Sequence, residues 1–368
     1  MGKDRLDAFL EKAGQSGADI AAISAGPNLR YLFGLEVDPH ERAFMTIVGE
    51  GFHPSFVLPM LEMGNVGRVA AGFGAELHGY SDEEGPSFAV SRALRHVPAE
   101  AGRLTLGAEF LHMRLKEHEL IKSSLGSFEV VDIDSILMEM RAVKDPEEIA
   151  CLRRAAEIAD IGIIAARAAI RPGVSEKQVV SEIERAMLEA GADSVPFNIV
   201  LSGPNAALPH GKPSDRKILE GELVICDIGA CFRGYFGDIT RTISAGRPSS
   251  EMEKVYEAVY RANEAGRKTA RPGISGGELD AACRKVIEDA GYGELFIHRT
   301  GHGLGLEVHE EPYIVGGNTK PLLPGMAFTI EPGVYIPGVG GVRIEDDAVI
   351  TESGVEILTR QPRELEVG

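Results

Sequence analysis

Five residues in the C-terminal part of the sequence have the types and surroundings of a metal-binding set. Asp227 directly follows an apolar run, Asp238 directly precedes a run rich in β-branched residues, and Glu331 ends another apolar run. A carboxylate in a buried strand costs on the order of several kcal/mol unless it meets a cation or a full set of hydrogen-bond donors. The two aspartates alone could be strand-end caps, but the complete set predicts bound dications. Its members are Asp227, Asp238, His302, Glu331 and Glu345.

Four carboxylates and one imidazole suit two divalent cations, because four negative charges offset the charge of two such ions almost completely. Manganese or cobalt fits this oxygen-rich donor set, and zinc is an alternative that more often takes additional His or Cys ligands. Two ions about 3.5 Å apart activate water at neutral pH and polarise a substrate carbonyl or phosphoryl oxygen. The predicted chemistry is therefore hydrolysis.

The segment from His298 to Glu310 combines three histidines with three glycines at alternate positions, which let the backbone approach a crowded centre. It is not the helical zinc motif, because Arg299 and Thr300 occupy the middle positions and the glycines would weaken a helix. It is not a phosphate loop either, because no Lys-Ser or Lys-Thr pair follows the glycines. A lone His302 would more often be a core histidine, but this setting favours a ligand.

The elements that must position these residues form an internal repeat. Arg171–Ser175 recurs as Arg271–Ser275, an offset of 100 residues (271 minus 171), and each copy lies between two predicted amphipathic helices. The first helix pair precedes the strands with the two aspartates, and the second precedes the strands with the two glutamates. Duplication is therefore predicted to bring two acidic hairpins face to face.

Turn-forming residues predict a hairpin in each copy, at Arg233 and Gly234 between the aspartates and at Pro337–Gly341 between the glutamates. The odd separation of Asp227 and Asp238 suggests a β-bulge between them. The spacing leaves the register of the strands open.

The composition describes a folded chain of 368 residues, 44% of them hydrophobic, which is long for one domain and predicts two. Lys and Arg total 38 against 56 Asp and Glu, and the net charge of -18 argues against nucleic acid or a membrane surface as a partner. The first residues carry both signs, no apolar run reaches about 18 residues, and the four cysteines are scattered. A cytoplasmic protein without disulfides is expected.

Residues 1–133 alternate short apolar strands with helical segments and predict an α/β domain. Residues 134–368 form the predicted second domain, where Asp145 can cap a long helix that has Pro146 at its first position. No catalytic cluster stands out in the first domain, and its histidines are predicted to be surface residues without acidic partners. These are His40, His53, His78, His96, His112 and His118.

These motifs resemble those of the pita-bread metallopeptidases, specifically the proline peptidases: Xaa-Pro dipeptidases (prolidases) and Xaa-Pro aminopeptidases. The resemblance covers both halves of the chain. It rests on two aspartates eleven residues apart, on the glycine-histidine segment, and on the stretches Thr329–Gly333 and Val342–Asp346. It implies an α/β N-terminal domain followed by an α+β pita-bread catalytic domain with an internal pseudo-two-fold repeat.

The resemblance also implies a division of the metal ligands. Asp227 and Asp238 would bind one ion, Asp238 and Glu345 would bridge the two ions, and His302 with Glu331 would complete the second site. Two divalent ions per subunit are therefore expected, with manganese favoured and cobalt or zinc as alternatives.

Roles in substrate handling follow from the same resemblance. His210 and His309 would hold the substrate or stabilise a developing oxyanion, although His210 could instead make a structural hydrogen bond in its loop. Glu331 would move a proton from the attacking water to the leaving proline nitrogen. Arg343 would reach a substrate carboxylate or brace Tyr335.

The charged loop Glu36–Arg42 in the first domain is most simply a solvated turn. In the enzymes that this chain resembles, the first domain helps to build a dimer that walls one end of the active site. Asp38 or Arg42 could therefore meet the substrate bound to a partner subunit, and a homodimer is expected.

The predicted function is dinuclear, metal-dependent hydrolysis of the Xaa-Pro bond in short proline-containing peptides. The short first domain favours a Xaa-Pro dipeptidase over a Xaa-Pro aminopeptidase acting on longer peptides. A methionine aminopeptidase would lack this first domain, and a creatinase-like relative would lack the metal carboxylates. A non-catalytic pita-bread module that binds peptides is the remaining alternative, but such modules usually lose ligands that are all present here.

Overall fold

The computed structural model describes residues 2–97 and 104–365, and the chain divides into two compact units, Met1–Arg141 and Ala142–Gly368. The predicted boundary after residue 133 places helix Asp134–Ala142 in the second domain, whereas this helix ends the first unit. Arg141 ties it there by donating from Nη1 to Asn28 Oδ1 at 2.9 Å. No helix within the described ranges is long and apolar enough to cross a membrane.

The first unit is built from short helices and strands that alternate along the chain. Its helices are α1 (Gly2–Gln15), α2 (Pro27–Phe33), α3 (Met63–Phe73), α4 (Ser87–Ala93), α5 (Leu115–Leu125) and α6 (Asp134–Ala142). Its strands are β1 (Ile20–Ser24), β2 (Met45–Gly49), β3 (Ser55–Pro59), β4 (Glu76–Tyr80), β5 (Thr105–Ala108) and β6 (Glu129–Asp132).

The six strands described in the first unit form one sheet in the order β4-β3-β2-β1-β5-β6. Every residue of β1, β2 and β3 is buried, as expected of strands covered on both faces. Strands β1, β5 and β6 run parallel to one another, so their carboxyl ends lie at the same edge of the sheet. This arrangement confirms the predicted α/β class of the N-terminal half.

The second unit contains the two copies of the predicted repeat. Its helices are α7 (Pro146–Ala169), α8 (Glu176–Glu189), α9 (Ser250–Thr269) and α10 (Gly276–Asp289). The strands of the first copy are β7 (Ser194–Ser202), β8 (Glu222–Phe232) and β9 (Tyr235–Ala245). The strands of the second copy are β10 (Gly301–Gly303), β11 (Glu310–Ile314), β12 (Ala327–Ile330), β13 (Gly333–Ile336), β14 (Gly340–Arg343), β15 (Asp346–Ile350) and β16 (Val355–Ile357).

Local sequence signals start the second helix of each copy in the same way. Ser175 and Ser275 are the N-caps of α8 and α10, and each accepts from the backbone of the residue three positions later while that side chain returns the bond. Gly173 and Gly273 both take positive φ angles, 88° and 83°, which other residues rarely adopt. The repeat predicted from the sequence is confirmed at the level of these caps and turns.

The aspartate hairpin is a regular antiparallel pair. Strands β8 and β9 pair continuously, with Asp227 facing Thr240 and Asp238 facing Gly229. Asp238 faces Gly229, which lies two positions after Asp227 in β8. Residues two positions apart in a strand point to the same face, so both aspartates lie on one face of the hairpin without a bulge. The predicted β-bulge between them was therefore wrong.

The glutamates lie at breaks between strands rather than within them. Strand β12 pairs with β15, and β13 pairs with β14 in a separate hairpin. Glu331 directly follows β12, and Glu345 occupies the gap between β14 and β15. Helix α9 packs against β12, β13 and β14, so the glutamate copy is assembled around this helix.

Candidate metal centre

The five predicted ligands converge on one cavity of about 490 Å³ in the second unit. Three of them, Asp238, His302 and Glu345, each offer one ligand atom, and these atoms all lie within 4.8 Å of one another. His302 Nε2 lies 3.9 Å from Asp238 Oδ2 and 3.3 Å from Glu331 Oε1. Asp227 also lines this cavity. The aspartates of strands β8 and β9 therefore meet the glutamates that follow β12 and β14 in the same cavity.

Electrostatics make this cluster unfavourable without a cation. Burial, together with the charges of Glu345 and Asp227, raises the pKa of Asp238 well above its usual value. Burial and Glu345 do the same to the pKa of Glu331, and burial and Asp227 raise the pKa of Glu345 to about 7. Burial lowers the pKa of His302 to about 3, so its imidazole is neutral and has a lone pair to donate.

These residues fit divalent metal ions. Asp238 Oδ1 is buried and, among the described residues, has no hydrogen-bond partner. A buried carboxylate oxygen without a donor is unfavourable, and a cation removes that cost. Four carboxylates with one neutral imidazole form a donor set of the kind that binds manganese, cobalt or zinc. The predicted binding of divalent metal by this fold is thus chemically consistent with the geometry.

Two threonines orient the side chains of predicted metal ligands. Thr240 Oγ1 donates to Glu345 Oε2 at 2.6 Å, which connects the aspartate hairpin to the gap after β14. Thr329 Oγ1 donates to Glu331 Oε1 at 3.3 Å and accepts from the backbone N–H of His302 at 3.1 Å. Both hydroxyls fix carboxylate positions that the strands alone leave free.

Arg343 is buried, and its donors face the aspartate hairpin and Tyr335. Its Nη2 donates to Asp227, its Nη1 donates to the hydroxyl of Tyr335 at 2.8 Å, and its Nε donates to Thr240 Oγ1 at 3.1 Å. The Tyr335 hydroxyl also lies 2.9 Å from Nε2 of His298. Of the two roles predicted for Arg343, the geometry corresponds to the bracing of Tyr335.

The predicted substrate histidines border the same cavity. His210 and His309 both line it, and the ring centroid of His309 lies 4.1 Å from that of His302. Partial burial and the charge of Arg299 lower the pKa of His309. A neutral His309 can donate one hydrogen bond into the cavity at neutral pH.

Arg299 is a cavity residue to which sequence reasoning gave no role. Its guanidinium lies over the ring of Tyr313, 4.5 Å from the centroid, and its positive charge acts on both Glu331 and His309 in the cavity. The sequence signal that could have identified Arg299 is its position as a cationic residue within the glycine-histidine segment. Arg299 is therefore a positive charge at the cavity wall that a ligand can use.

Asp38 and Arg42 lie in the first unit, whereas every residue that lines the cavity belongs to the second. Arg42 donates to Asp82 from Nε and Nη2 at 2.8 and 2.9 Å, and Asp38 accepts from the backbone N–H of His40 at 3.1 Å. These contacts are those of a charged surface loop.

One expectation about histidine residues needs correction, and one buried ion pair was not predicted. Glu310, at the end of the glycine-histidine segment, is buried and pairs with the equally buried Lys144 at 2.7 Å. The first-domain histidines were expected to lie on the surface without acids, yet His78 is 2% exposed and His112 lies beside Asp134. These partners are distant in sequence, so no local pattern could reveal them.

Comparison with known proteins places this geometry in a family. The profile of the creatinase/prolidase N-terminal domain matches residues 5–143, and that of metallopeptidase family M24 matches residues 150–352. The chain belongs to metallopeptidase family M24. The predicted fold class and the predicted enzyme class, a metallopeptidase, are both confirmed.

Three relatives of this M24 metallopeptidase are informative. A putative dipeptidase of Bacillus subtilis is 36% identical over 98% of this chain and 98% of its own. The crystal structure of a prolidase from Thermococcus sibiricus is 38% identical, with a TM-score of 0.93, and the match covers 99% of this chain and 98% of that one. An X-Pro aminopeptidase from Thermotoga maritima is 32% identical, with a TM-score of 0.83 and 98% of each chain covered.

Proposed function

We propose that this M24 metallopeptidase is a Xaa-Pro dipeptidase that uses two divalent metal ions, with manganese as the native metal. The observation that carries the proposal is the convergence of four carboxylates and a neutral imidazole on one cavity. The prolidase is more similar to this chain than the X-Pro aminopeptidase is, in both identity and TM-score, which supports dipeptides as the substrates.

In this proposal Asp227 and Asp238 would hold one ion, His302 and Glu331 would hold the other, and Asp238 and Glu345 would serve both. When bound, the two ions supply an activated water and a Lewis acid for the scissile carbonyl. The buried acidic cluster described above supports this assignment, because burial raises the pKa of Asp238 and of Glu345, and nearby cations would favour their charged forms.

The residues around the ligands would then handle the proton and the charge. Glu331 faces the cavity and takes the proton of the attacking water, which it passes to the leaving proline nitrogen. His309 and His210 donate hydrogen bonds to the oxygen on which negative charge develops. Arg343 keeps Asp227 and Tyr335 in place and does not turn toward the substrate.

Arg299 supports the choice of a dipeptide. A dipeptide presents its C-terminal carboxylate one residue from the scissile bond, and Arg299 is a cation at the cavity wall. A guanidinium binds a carboxylate through two parallel hydrogen bonds. A longer peptide has no charge at that place, so Arg299 would favour dipeptides over tripeptides.

The decisive experiment is a substrate-length assay on chelated protein reloaded with Mn²⁺, Co²⁺ or Zn²⁺. A Xaa-Pro dipeptide should be hydrolysed at least about tenfold faster than the matching Xaa-Pro-Xaa tripeptide, and Arg299→Gln should reduce this ratio by raising KM for the dipeptide. Faster cleavage of the tripeptide would identify an aminopeptidase. Full metal binding without hydrolysis of either peptide would identify a binding module.

The proposal extends to the assembly and the cell compartment. We infer a homodimer in which Asp38 or Arg42 approaches the substrate of the partner subunit, in a cytoplasm that keeps the four free cysteines reduced. Arg42→Ala should then raise KM for dipeptides, with Arg30→Ala as a control, because Arg30 pairs with Glu36 near the same loop. An unchanged KM in Arg42→Ala would remove this role.

A further inference from the structure

A second group of ligand-type side chains lies in the first unit, and the proposed peptidase reaction does not use it. Glu109, His112 and Asp134 each offer one ligand atom, and these atoms all lie within 4.8 Å of one another. His112 Nδ1 and Asp134 Oδ1 are 3.8 Å apart. Sequence reasoning found no catalytic cluster in this half of the chain, so the group is unexplained.

The parallel strands of the first sheet bring these residues together. Strands β5 and β6 are neighbours, with Ala108 beside Asp132, and both end at the same edge of the sheet. Glu109 directly follows β5, and Asp134 begins α6 just after β6. The carboxyl ends of neighbouring parallel strands are a common place for ligand sites in α/β folds. His112 joins them because the backbone turns back after Glu109.

Backbone and amide donors hold both carboxylates in fixed orientations. Glu109 accepts from the N–H of Ser24 and from Asn28 Nδ2, the latter at 2.7 Å. Asp134 Oδ2 accepts from the N–H of Leu111 at 2.9 Å. The other oxygen, Asp134 Oδ1, is buried in a residue that is only 5% exposed, and it has no hydrogen-bond partner among the described residues. This oxygen faces His112 and points into the group.

The donor set has the charge and chemistry of a site for one divalent cation. Two carboxylates offset the double charge of the ion, and an imidazole nitrogen with carboxylate oxygens is a combination that binds zinc or manganese. Glu109 is 1% exposed, and burial raises its pKa to about 6, which a nearby cation would reverse. The His112 side chain is 18% exposed, so an ion can enter from solvent and keep water in its remaining positions.

We propose that Glu109, His112 and Asp134 bind a single divalent transition-metal ion, zinc or manganese, at the carboxyl edge of the first sheet. The ion connects the end of β5, the turn that contains His112 and the start of α6. It also connects α6 to β1 and α2 through Glu109, which accepts from the N–H of Ser24 at the end of β1 and from Asn28 in α2. Its role is structural, and it is separate from the ions of the peptidase centre.

The test is a count of bound metal in three full-length proteins: wild type, His112→Gln and His118→Gln. His118 is the control, because it lies in the same unit and contacts Glu119 and Phe128 instead. Each protein is stripped of metal with a chelator, reloaded with Zn²⁺ or Mn²⁺ and freed of excess ion. Elemental mass spectrometry then gives the number of metal ions bound per chain. His112→Gln should hold about one ion per chain fewer than both other proteins.

A second measurement keeps the test valid if His112→Gln folds poorly. Asp134→Asn retains an oxygen for the N–H of Leu111, yet it should weaken the extra site at least about tenfold in competition with a chromophoric chelator. Reloaded His112→Gln should hydrolyse peptides at the wild-type rate, so failure of the peptidase proposal would affect all proteins equally. The same metal content in wild type, His112→Gln and Asp134→Asn would overturn the extra site.

Discussion

The two copies of the repeat begin alike and end differently, and one pair of corresponding positions shows why. Ile163 in α7 and Asn263 in α9 are 100 residues apart (263 minus 163), the offset of the repeat, and both are fully buried. Ile163 packs in the core beneath the aspartate hairpin. Asn263 instead uses Nδ2 to donate to the carbonyls of Ile330 and Ile344, at 2.9 and 3.3 Å.

The difference follows from how each copy satisfies its backbone. In the aspartate hairpin, β8 and β9 pair with each other along their whole length, so ladder hydrogen bonds satisfy the carbonyls. In the glutamate copy, the segments that end at Glu331 and Glu345 pair with other strands, and the carbonyls just before the two glutamates need another donor. The side-chain amide of Asn263 thus satisfies the backbone carbonyls next to the glutamates, whereas ladder hydrogen bonds satisfy the backbone around the aspartates.

The largest expected effect comes from removing a carboxylate from either copy. Asp238→Asn and Glu345→Gln should each lower kcat/KM for a Xaa-Pro dipeptide by roughly 10³-fold or more and reduce bound metal, because both residues are proposed to hold the same ions. Asp215→Asn is the control, since Asp215 is an exposed acid that pairs with Lys177. If one copy tolerated its substitution within about tenfold, the two hairpins would not share one centre.

The contrast between Asn263 and Ile163 predicts the next effect. Asn263→Leu should lower the free energy of unfolding by about 2 to 4 kcal/mol, because two buried carbonyls and Nη1 of Arg363 lose their partner. It should also weaken metal binding roughly 10- to 100-fold. Ile163→Leu should cost less than about 1.5 kcal/mol and leave metal affinity unchanged. Urea unfolding and metal competition measure both, and equal losses in the two variants would contradict the comparison.

The pH dependence of metal-free protein gives an intermediate effect. The pKa of Glu345 is about 7 in the folded protein, above its ordinary value, so the folded state holds this proton more tightly than the unfolded state does. Stability from this group is complete below about pH 4 and is lost as pH rises through 7. In EDTA, the free energy of unfolding should fall by on the order of 1 to 3 kcal/mol more in wild type than in Glu345→Gln across this window. Parallel curves for the two proteins would rule out the raised pKa.

The smallest expected effect comes from the hydroxyl that connects the two copies. Thr240→Val removes the donor to Glu345 and the acceptor for Arg343 Nε, and should cost about 1 kcal/mol with a few-fold loss of kcat. Thr46→Val is a matched control, because the buried Thr46 hydroxyl has no hydrogen-bond partner among the described residues. Thermal melts and kcat measure the pair, and an unchanged Thr240→Val enzyme would show that the hydroxyl does not position Glu345.

Much of the fold was predictable because its signals are local. The cap at Asp145, predicted from the sequence, acts within three residues and is present in the structure. The repeated segment also carries matching N-caps at Ser175 and Ser275, which act over the same short range. The short helix α2 and the strand β4 were not predicted, because their apolar patterns are brief and tertiary packing decides them. The predicted bulge was wrong because the length of the turn decides which separations along the chain place two residues on the same face of a hairpin.

The amino-acid sequence by itself determined which chemical groups are present, the repeat that orders them, and the turns and caps that start each element. Only the tertiary structure decided which groups meet: Asn263 with the carbonyls before the glutamates, Arg343 with Asp227, and His112 with Asp134. The physical reason is distance along the chain. Caps and turns depend on a few adjacent residues, whereas contacts across 20 to more than 100 positions depend on strand register and packing that no local pattern specifies.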